Sequence, residues 1–272
     1  NDVCQTRRPF CEEIMNNNYI IGLITLILLS LPFIGITGTN GKTSVVWMVS
    51  NFLNLQGINV KSIGTLGYYK NGKKIETFGN NGEIDIGLSP IAPLIVDNFL
   101  IIATFKPDLQ VYDALSGKLL WKFYLRDSKN LYNNFKGGNP WGGISADIKK
   151  GVVFLTTGNP KPNYVGTSRP GKNLFANSII AFDIRNKKKL WHFQETCHDL
   201  WNLDIPSPPI FTTINKYDRR IDVVVAVTKL GNTIVLDSNS GEPIFDYEMK
   251  LAPTSKIPGE KTCKYQPSLK LP

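Results

Sequence analysis

From about residue 89 onward, short apolar runs alternate with clusters of Gly, Pro, Asn and Asp: APLIVDNFLIIAT, LQVYDA, LLWKFYL, GVVFLTTG, SIIAFDI, KLWHFQE, DVVVAVTK and NTIVLDS. Runs of this length, rich in β-branched and aromatic residues and bounded by turn formers, predict strands, and no segment among them repeats with a helical period. Three times an Asp is followed eight residues later by a large ring: Asp113 to Trp121, Asp183 to Trp191, and Asp237 to Phe245. Each copy reads as the end of one strand, a tight turn and the start of the next. A ring that recurs in register can dock between neighbouring sheets of a radial array. Residues 89–272 therefore predict an all-β chain forming a partial β-propeller of about four blades.

The pattern before residue 89 differs. No charged side chain occurs between Asn16 and Gly41, and residues 19–36 (YIIGLITLILLSLPFIGI) are almost unbroken apolar sequence. As a helix rising about 1.5 Å per residue, that stretch would reach roughly 27 Å, close to the thickness of a bilayer core. Residues 1–35 thus predict an apolar N-terminal helix, a signal or anchor segment that attaches the chain to a membrane. Next comes a Gly-rich turn, Gly38-Thr39-Asn40-Gly41-Lys42-Thr43, before a helix-like run over residues 45–55. Such a turn aims backbone N–H groups at phosphate oxygens. Gly41, Lys42 and Thr43 become candidate ATP contacts, with Lys42 neutralising charge and the Thr43 hydroxyl available to Mg²⁺. Ile36 stands where the general GxxxxGK[ST] pattern has Gly. Residues 36–88 read as a short, truncated α/β segment of P-loop type.

Composition narrows the class. With 272 residues, 42% of them apolar, 23 Gly and 17 Pro, the chain can bury a sizeable core and is rich in turns. The net charge of +9 attracts anions, but no Lys/Arg stripe with interleaved aromatics accompanies it, so no nucleic-acid partner is expected. The densest basic run, Lys187 to Lys189, falls in a repeat turn and reads as a solvated tip. The four cysteines, Cys4, Cys11, Cys197 and Cys263, lack CxxC or His-partnered metal spacing. Cys4 and Cys11 could bridge in an exported protein, yet three pairings are open and the spacing does not choose. His198 beside Cys197 has the look of a nucleophile pair, but neighbours on a strand point to opposite faces.

Residues 137–160 (GGNPWGGISADIKKGVVFLTTGNP), 169–183 (RPGKNLFANSIIAFD), 192–211 (HFQETCHDLWNLDIPSPPIF), 225–243 (VAVTKLGNTIVLDSNSGEP) and the tail PGEKTCKYQPSLKLP resemble dehydrogenases dependent on pyrroloquinoline quinone (PQQ), most nearly the quinoprotein glucose dehydrogenase group. The resemblance implies a quinoprotein-type propeller that oxidises a sugar or alcohol. Hydride would pass to Ca²⁺-bound PQQ in the periplasm, and electrons would go on to membrane quinone. It implies Trp141 as the floor under the quinone, with Gly142 letting the flat ring approach the Gly-rich bend, and Asn159, at a strand end, as a Ca²⁺ ligand. The family motif HDLWD here reads HDLWNLD, so Asn202 occupies the place of the catalytic Asp, keeping an oxygen for metal or substrate but unable to take a proton near neutral pH. On a strand Asn202 and Asp204 would share a face, which makes Asp204 the substitute base ahead of Asp199. Lys229 matches the Lys set against the quinone oxygens.

TGTNGKT and GTLGYY, in residues 36–72, resemble the ATP site of the Mur ligases, in the tripeptide-synthetase branch. That implies, as an alternative, an ATP- and Mg²⁺-dependent amide ligase of peptidoglycan synthesis. A non-catalytic propeller scaffold is a third reading. The chain ends short of a closed propeller ring and is read as an incomplete fragment carrying the middle blades.

Overall fold

The structure, a computed structural model, describes residues 42–64, 66–126, 137–216 and 218–269. The expected N-terminal anchor, Cys4, Cys11 and Gly41 lie outside the described residues. Among the described residues no helix is long and apolar enough to cross a membrane.

One helix, α1 (Lys42–Leu55), precedes the strands and covers the helix-like run read from the sequence. It ends in a glycine cap: Gly57 has φ 76°, its N–H donates to Asn54 O at 3.0 Å, and Ile58 N–H donates to Leu53 O at 3.1 Å. A small sheet of β1 (Lys61–Gly64), β2 (Gly67–Lys70) and β3 (Lys73–Lys74) follows. The first blade is an antiparallel meander of β4 (Leu94–Val96), β5 (Phe99–Thr104), β6 (Asp108–Asp113) and β7 (Leu119–Tyr124). The second repeats the order with β8 (Ile144–Asp147), β9 (Val152–Thr156), β10 (Ser178–Asp183) and β11 (Lys188–Gln194). A three-stranded sheet, β12 (Ile210–Lys216), β13 (Arg219–Val227) and β14 (Thr233–Asp237), comes next, and then a hairpin of β15 (Tyr247–Leu251) and β16 (Tyr265–Leu269). The architecture is a partial propeller whose sheets do not close into a ring. β4, β8 and β12, the first strands of their sheets, lie side by side and form the inner row.

Burial explains why the central strands read as continuous apolar runs. Successive residues on a strand face opposite ways, and the second blade is covered on both faces. Val153, Leu155, Ile180 and Phe182 pack toward the first blade with Ile101, Leu109 and Val111. Phe154, Ile179, Ala181 and Trp191 pack toward the third sheet with Val224, Ala226, Ile234 and Leu236. The outer face of the first blade is not left bare: Leu100, Ile102 and Tyr112 are covered by Tyr68 and Phe78, so residues 68–78 share a core with the propeller. The apolar-run reading omits β8, β12, β15 and β16, none of which is a continuous apolar run.

The recurring Asp is a turn device. Asp113 Oδ1 accepts from Ser116 N–H at 2.7 Å, Asp183 Oδ1 from Asn186 N–H at 2.9 Å, and Asp237 Oδ1 from Asn239 N–H and Ser240 N–H, both at 2.9 Å. The ring docks in the second copy: Trp191 Nε1 donates to Ser238 O at 3.1 Å, and its ring covers Gly241, where an added Cβ would lie 2.5 Å from the indole. Trp121 is half-buried near Phe182 of the next blade, with ring centroids 6.5 Å apart. The third copy departs from this pattern, for Phe245 is 50% exposed and meets the Lys216 ammonium 4.4 Å from its ring centre. Nor is the basic run wholly a solvated tip: Lys189 opens into β11, half-buried, with its ammonium 5.3 Å from the Phe175 ring centre.

Candidate functional site

Four loops meet at the ends of the inner strands: residues 137–143 before β8, 157–163 after β9, 195–209 between β11 and β12, and 228–232 between β13 and β14. The first three, with Pro90 and Phe105 of the first blade, line an open cleft of about 320 Å³ through Asn139, Trp141, Asn159, Lys161, Asn163, Asn202 and Asp204, and the fourth reaches it through Lys229, which pairs with Asp204.

Asp204 is the hub. It is 6% exposed; Oδ1 accepts from Asn159 N–H at 2.8 Å and from Trp141 Nε1 at 3.3 Å, while Oδ2 pairs with the Lys229 ammonium. Lys229 Nζ also donates to Asn202 O at 3.1 Å. Asn159 is 2% exposed, donates its Nδ2 to Asn202 Oδ1, and has an Oδ1 buried without a hydrogen-bond partner among the described residues. Trp141 is 37% exposed, leaving its indole accessible. Packing fixes this geometry closely. At Gly158 an added Cβ would stand 2.2 Å from Asp204 Oδ1 and 2.5 Å from Trp141 Nε1.

The backbone here differs from the expected strand. Residues 195–209 form an irregular loop, and Asn202 has φ 66°, the left-handed conformation that Asn tolerates better than most residues. Asn202 and Asp204 therefore do not share a strand face; hydrogen bonds to Asn159 and Lys229 bring them to one cleft. Asp199 is fully buried and consumed by the loop, Oδ1 accepting from Trp201 N–H at 2.7 Å and Oδ2 from Leu203 N–H at 2.7 Å and Asn177 Nδ2 at 3.0 Å. Asp199 is not among the residues that line the cleft. Gly142 lies outside the lining, because its open side faces Thr156 Oγ1 (2.3 Å from an added Cβ), Ile205 O and Ser207 O. Asn159 lies three residues beyond the end of β9.

Cys197 and His198 are loop residues as well, and Cys197 is bonded to Cys263 across 66 residues of sequence. That bond, with Gln266 Nε2 donating to Cys197 O at 2.7 Å and Cys197 N–H donating to Gln266 Oε1 at 2.8 Å, ties the site loop to β16 and the residues just before it. His198 Nδ1 donates to Gly171 O at 2.6 Å, and burial together with Arg169 lowers its pKa. Arg169, fully buried, spans Pro162 O (2.8 Å), Asn163 O (2.8 Å) and Asp199 O (2.5 Å), and so holds the Lys161–Asn163 edge of the cleft against the site loop. Desolvation pulls its pKa down.

Asn139, Lys161 and Asn163 were missed by sequence reasoning. Their only signal was proximity to Trp141 and Asn159 in the GGNPW and GNPKPN stretches. Of the phosphate-loop candidates, Lys42 and Thr43 are the first two residues of α1. Among the described residues no group of three or more His, Cys, Asp or Glu is placed to hold a metal ion.

Residues 68–272 match the profile of the glucose/ethanol/alcohol dehydrogenase β-propeller domain, and residues 36–89 match the Mur ligase middle domain. The chain belongs to the quinoprotein dehydrogenase family defined by that propeller. It is 30% identical over 224 residues to quinoprotein glucose dehydrogenase A of Acinetobacter calcoaceticus, covering 70% of this chain and 28% of that protein. To the quinoprotein glucose dehydrogenase of Escherichia coli K12 it is 29% identical over 227 residues, covering 73% and 28%. The chain thus spans under a third of these relatives. The fold matches that of the quinohemoprotein alcohol dehydrogenase of Comamonas testosteroni with a TM-score of 0.51 at 22% identity, over 65% of this chain and 30% of that one.

Proposed function

We propose that this chain is part of a PQQ-dependent dehydrogenase that oxidises a sugar or alcohol in the cleft over Trp141. One observation carries the reading: Trp141, Asn159, Asn202 and Asp204, drawn from three separate loops, line one cleft of a propeller in this family, and Lys229 from a fourth loop pairs with Asp204 there. An accessible indole suits a flat conjugated ring. Asn159 Oδ1, buried and unpartnered beside Asn202 and Asp204, suits an oxygen-seeking cation such as Ca²⁺. Such an ion takes about six to eight oxygens, so Asn159 and Asn202 would be joined by ligand, water or portions of the relatives that this chain does not span.

PQQ, when bound, supplies a hydride acceptor. The chain's own residues would do the rest. The Lys229 ammonium would offset negative charge growing on the ligand, and Asp204 would be the carboxylate nearest the substrate hydroxyl. Asn202 cannot take that proton. Asp204 already accepts from two N–H groups besides its Lys229 partner, so this site would be a slow one. Residues 1–35 would anchor the chain and 36–88 would be a vestigial Mur-like segment, with residues 89–272 the propeller, periplasmic and passing electrons to membrane quinone.

Titration of the full chain with PQQ and Ca²⁺, followed by tryptophan fluorescence and melting temperature, tests this. Saturable quenching and a rise in melting temperature are expected, both removed by EDTA, with affinity weakened about tenfold or more in Trp141→Ala, as expected for a lost stacking face. Dye reduction with glucose or a polyol is expected to follow binding. No quenching and no shift at millimolar Ca²⁺ would refute the proposal.

A further inference from the structure

Behind Lys229 lies a buried acid that the reading above does not use. Glu195, just past β11, is 2% exposed. Its Oε1 accepts two hydrogen bonds, from Thr228 Oγ1 at 2.9 Å and from Asn232 Nδ2 at 2.8 Å. Thr228 and Asn232 are the two ends of the turn that carries Lys229, and that turn is closed on itself by Thr228 N–H to Asn232 O and Gly231 N–H to Thr228 O, both 3.0 Å. A single carboxyl oxygen therefore grips both ends of the turn. From the same turn Lys229 N–H donates to Asp204 O at 3.3 Å and the ammonium reaches Asp204 Oδ2.

We propose that Glu195 is a positioning residue that fixes how Lys229 is presented to Asp204 and the cleft. The rest of its surroundings argue that it works as a neutral hydrogen-bond acceptor. Among the described residues Oε2 is buried without a hydrogen-bond partner, and no Lys, Arg or His forms an ion pair with Glu195. A bare charge there would go uncompensated, and burial, with Asp199 nearby, pushes its pKa up. Gln preserves an acceptor oxygen in the same place, whereas Ala leaves two buried donors unpaired. The proposal rests on Lys229 being the working cation of the cleft, but its test need not involve PQQ.

The test is acetylation of the full chain by an amine-reactive ester, with the rate at Lys229 read by peptide mapping against Lys122, whose ammonium lies 3.4 Å from Asp108 in the first blade. Glu195→Ala is expected to speed labelling of Lys229 about five- to tenfold relative to Lys122, and Glu195→Gln to stay within about twofold of the unmodified chain, the difference of one buried acceptor. Thr228→Val, which removes one of the two donors and keeps the shape, is expected to fall between and serves if Glu195→Ala unfolds. Unchanged Lys229 labelling in Thr228→Val and in any folded Glu195→Ala would overturn the proposal, as would Glu195→Gln behaving like Glu195→Ala. Faster Lys229 labelling in a chain that binds no PQQ would sustain the positioning role and refute the cofactor reading.

Discussion

Gly158→Ala is the sharpest probe of the cleft because it adds one methyl where the structure has no room. The new Cβ would stand 2.2 Å from Asp204 Oδ1 and 2.5 Å from Trp141 Nε1, far inside ordinary van der Waals contact. The backbone cannot retreat easily, since Gly158 N–H donates to Asn139 O at 2.8 Å and Gly158 O accepts from Asn177 N–H at 2.9 Å. Asp204 and Trp141 must therefore move, breaking one or both bonds to Oδ1. Overpacking of this kind costs about 1–3 kcal/mol, and a buried carboxylate that loses a donor adds about 1–3 kcal/mol, so roughly 2–6 kcal/mol is expected overall. Urea unfolding followed by tryptophan emission measures it, with Gly64→Ala as control, because nothing lies within 4 Å of a Cβ there and its cost is expected within about 0.5 kcal/mol. PQQ titration of the same variant should show weakened binding. A Gly158→Ala chain as stable as its parent, with the same ligand affinity, would mean that Asp204 and Trp141 are not held against Gly158, and the hub would have to be abandoned.

Three other outcomes are expected. Asn202→Asp preserves the acceptor for Asn159 Nδ2 and a residue type that tolerates φ 66°, while adding a base; dye reduction with PQQ and Ca²⁺ should rise by about 10² or more, and no rise would favour a non-catalytic scaffold. Cys197→Ser opens a covalent loop with a sequence separation of 66, which chain entropy values at about 4 kcal/mol; unfolding with and without reductant should reveal that loss in the parent only, and equal stability of parent and variant would count against it. His192, half-buried edge-on against Phe175 with Lys189 Nζ 3.4 Å from Nδ1, has its pKa lowered from 6.5 to about 4 by burial, Lys189 and Lys172. The unfolded chain then binds more protons between these values, so stability is lost as pH falls from about 6.5 to about 4, by roughly 3 kcal/mol, and levels off below. His192→Gln should flatten that limb of the melting-temperature profile; an unchanged slope would place the titrating group elsewhere.

Strands β5, β6, β9 and β10 were legible because each is buried on both faces, so its own residues carry the whole signal in an apolar run. Asp113, Asp183 and Asp237 were legible for a similar reason, since an Asx turn is satisfied within three residues. Trp141, Asn159, Asp204 and Lys229 stood out through motifs, and they do line or border one cleft. Their arrangement was not legible. Asp204 and Asn202 were expected on a strand face, but the loop that holds them is shaped by Asp199, Asn177 and Arg169, residues 22 or more positions apart in two of the three pairings. Gly142 was expected to face the ligand, yet Thr156 and Ser207 fill its side.

By itself, then, the chain's order of residues determined the β-rich repeat and the turn chemistry, because those depend on neighbours a few positions apart, and it offered Trp141, Asn159, Asn202 and Lys229 as candidates through motifs of adjacent residues. Only the tertiary structure decided that Cys197 bonds Cys263, that Glu195 grips the Lys229 turn, and that Asp204 binds Trp141, Asn159 and Lys229 together. These contacts exist because stacked blades bring loops from distant parts of the chain to one end of the inner strands, and no local pattern encodes which loops will meet there.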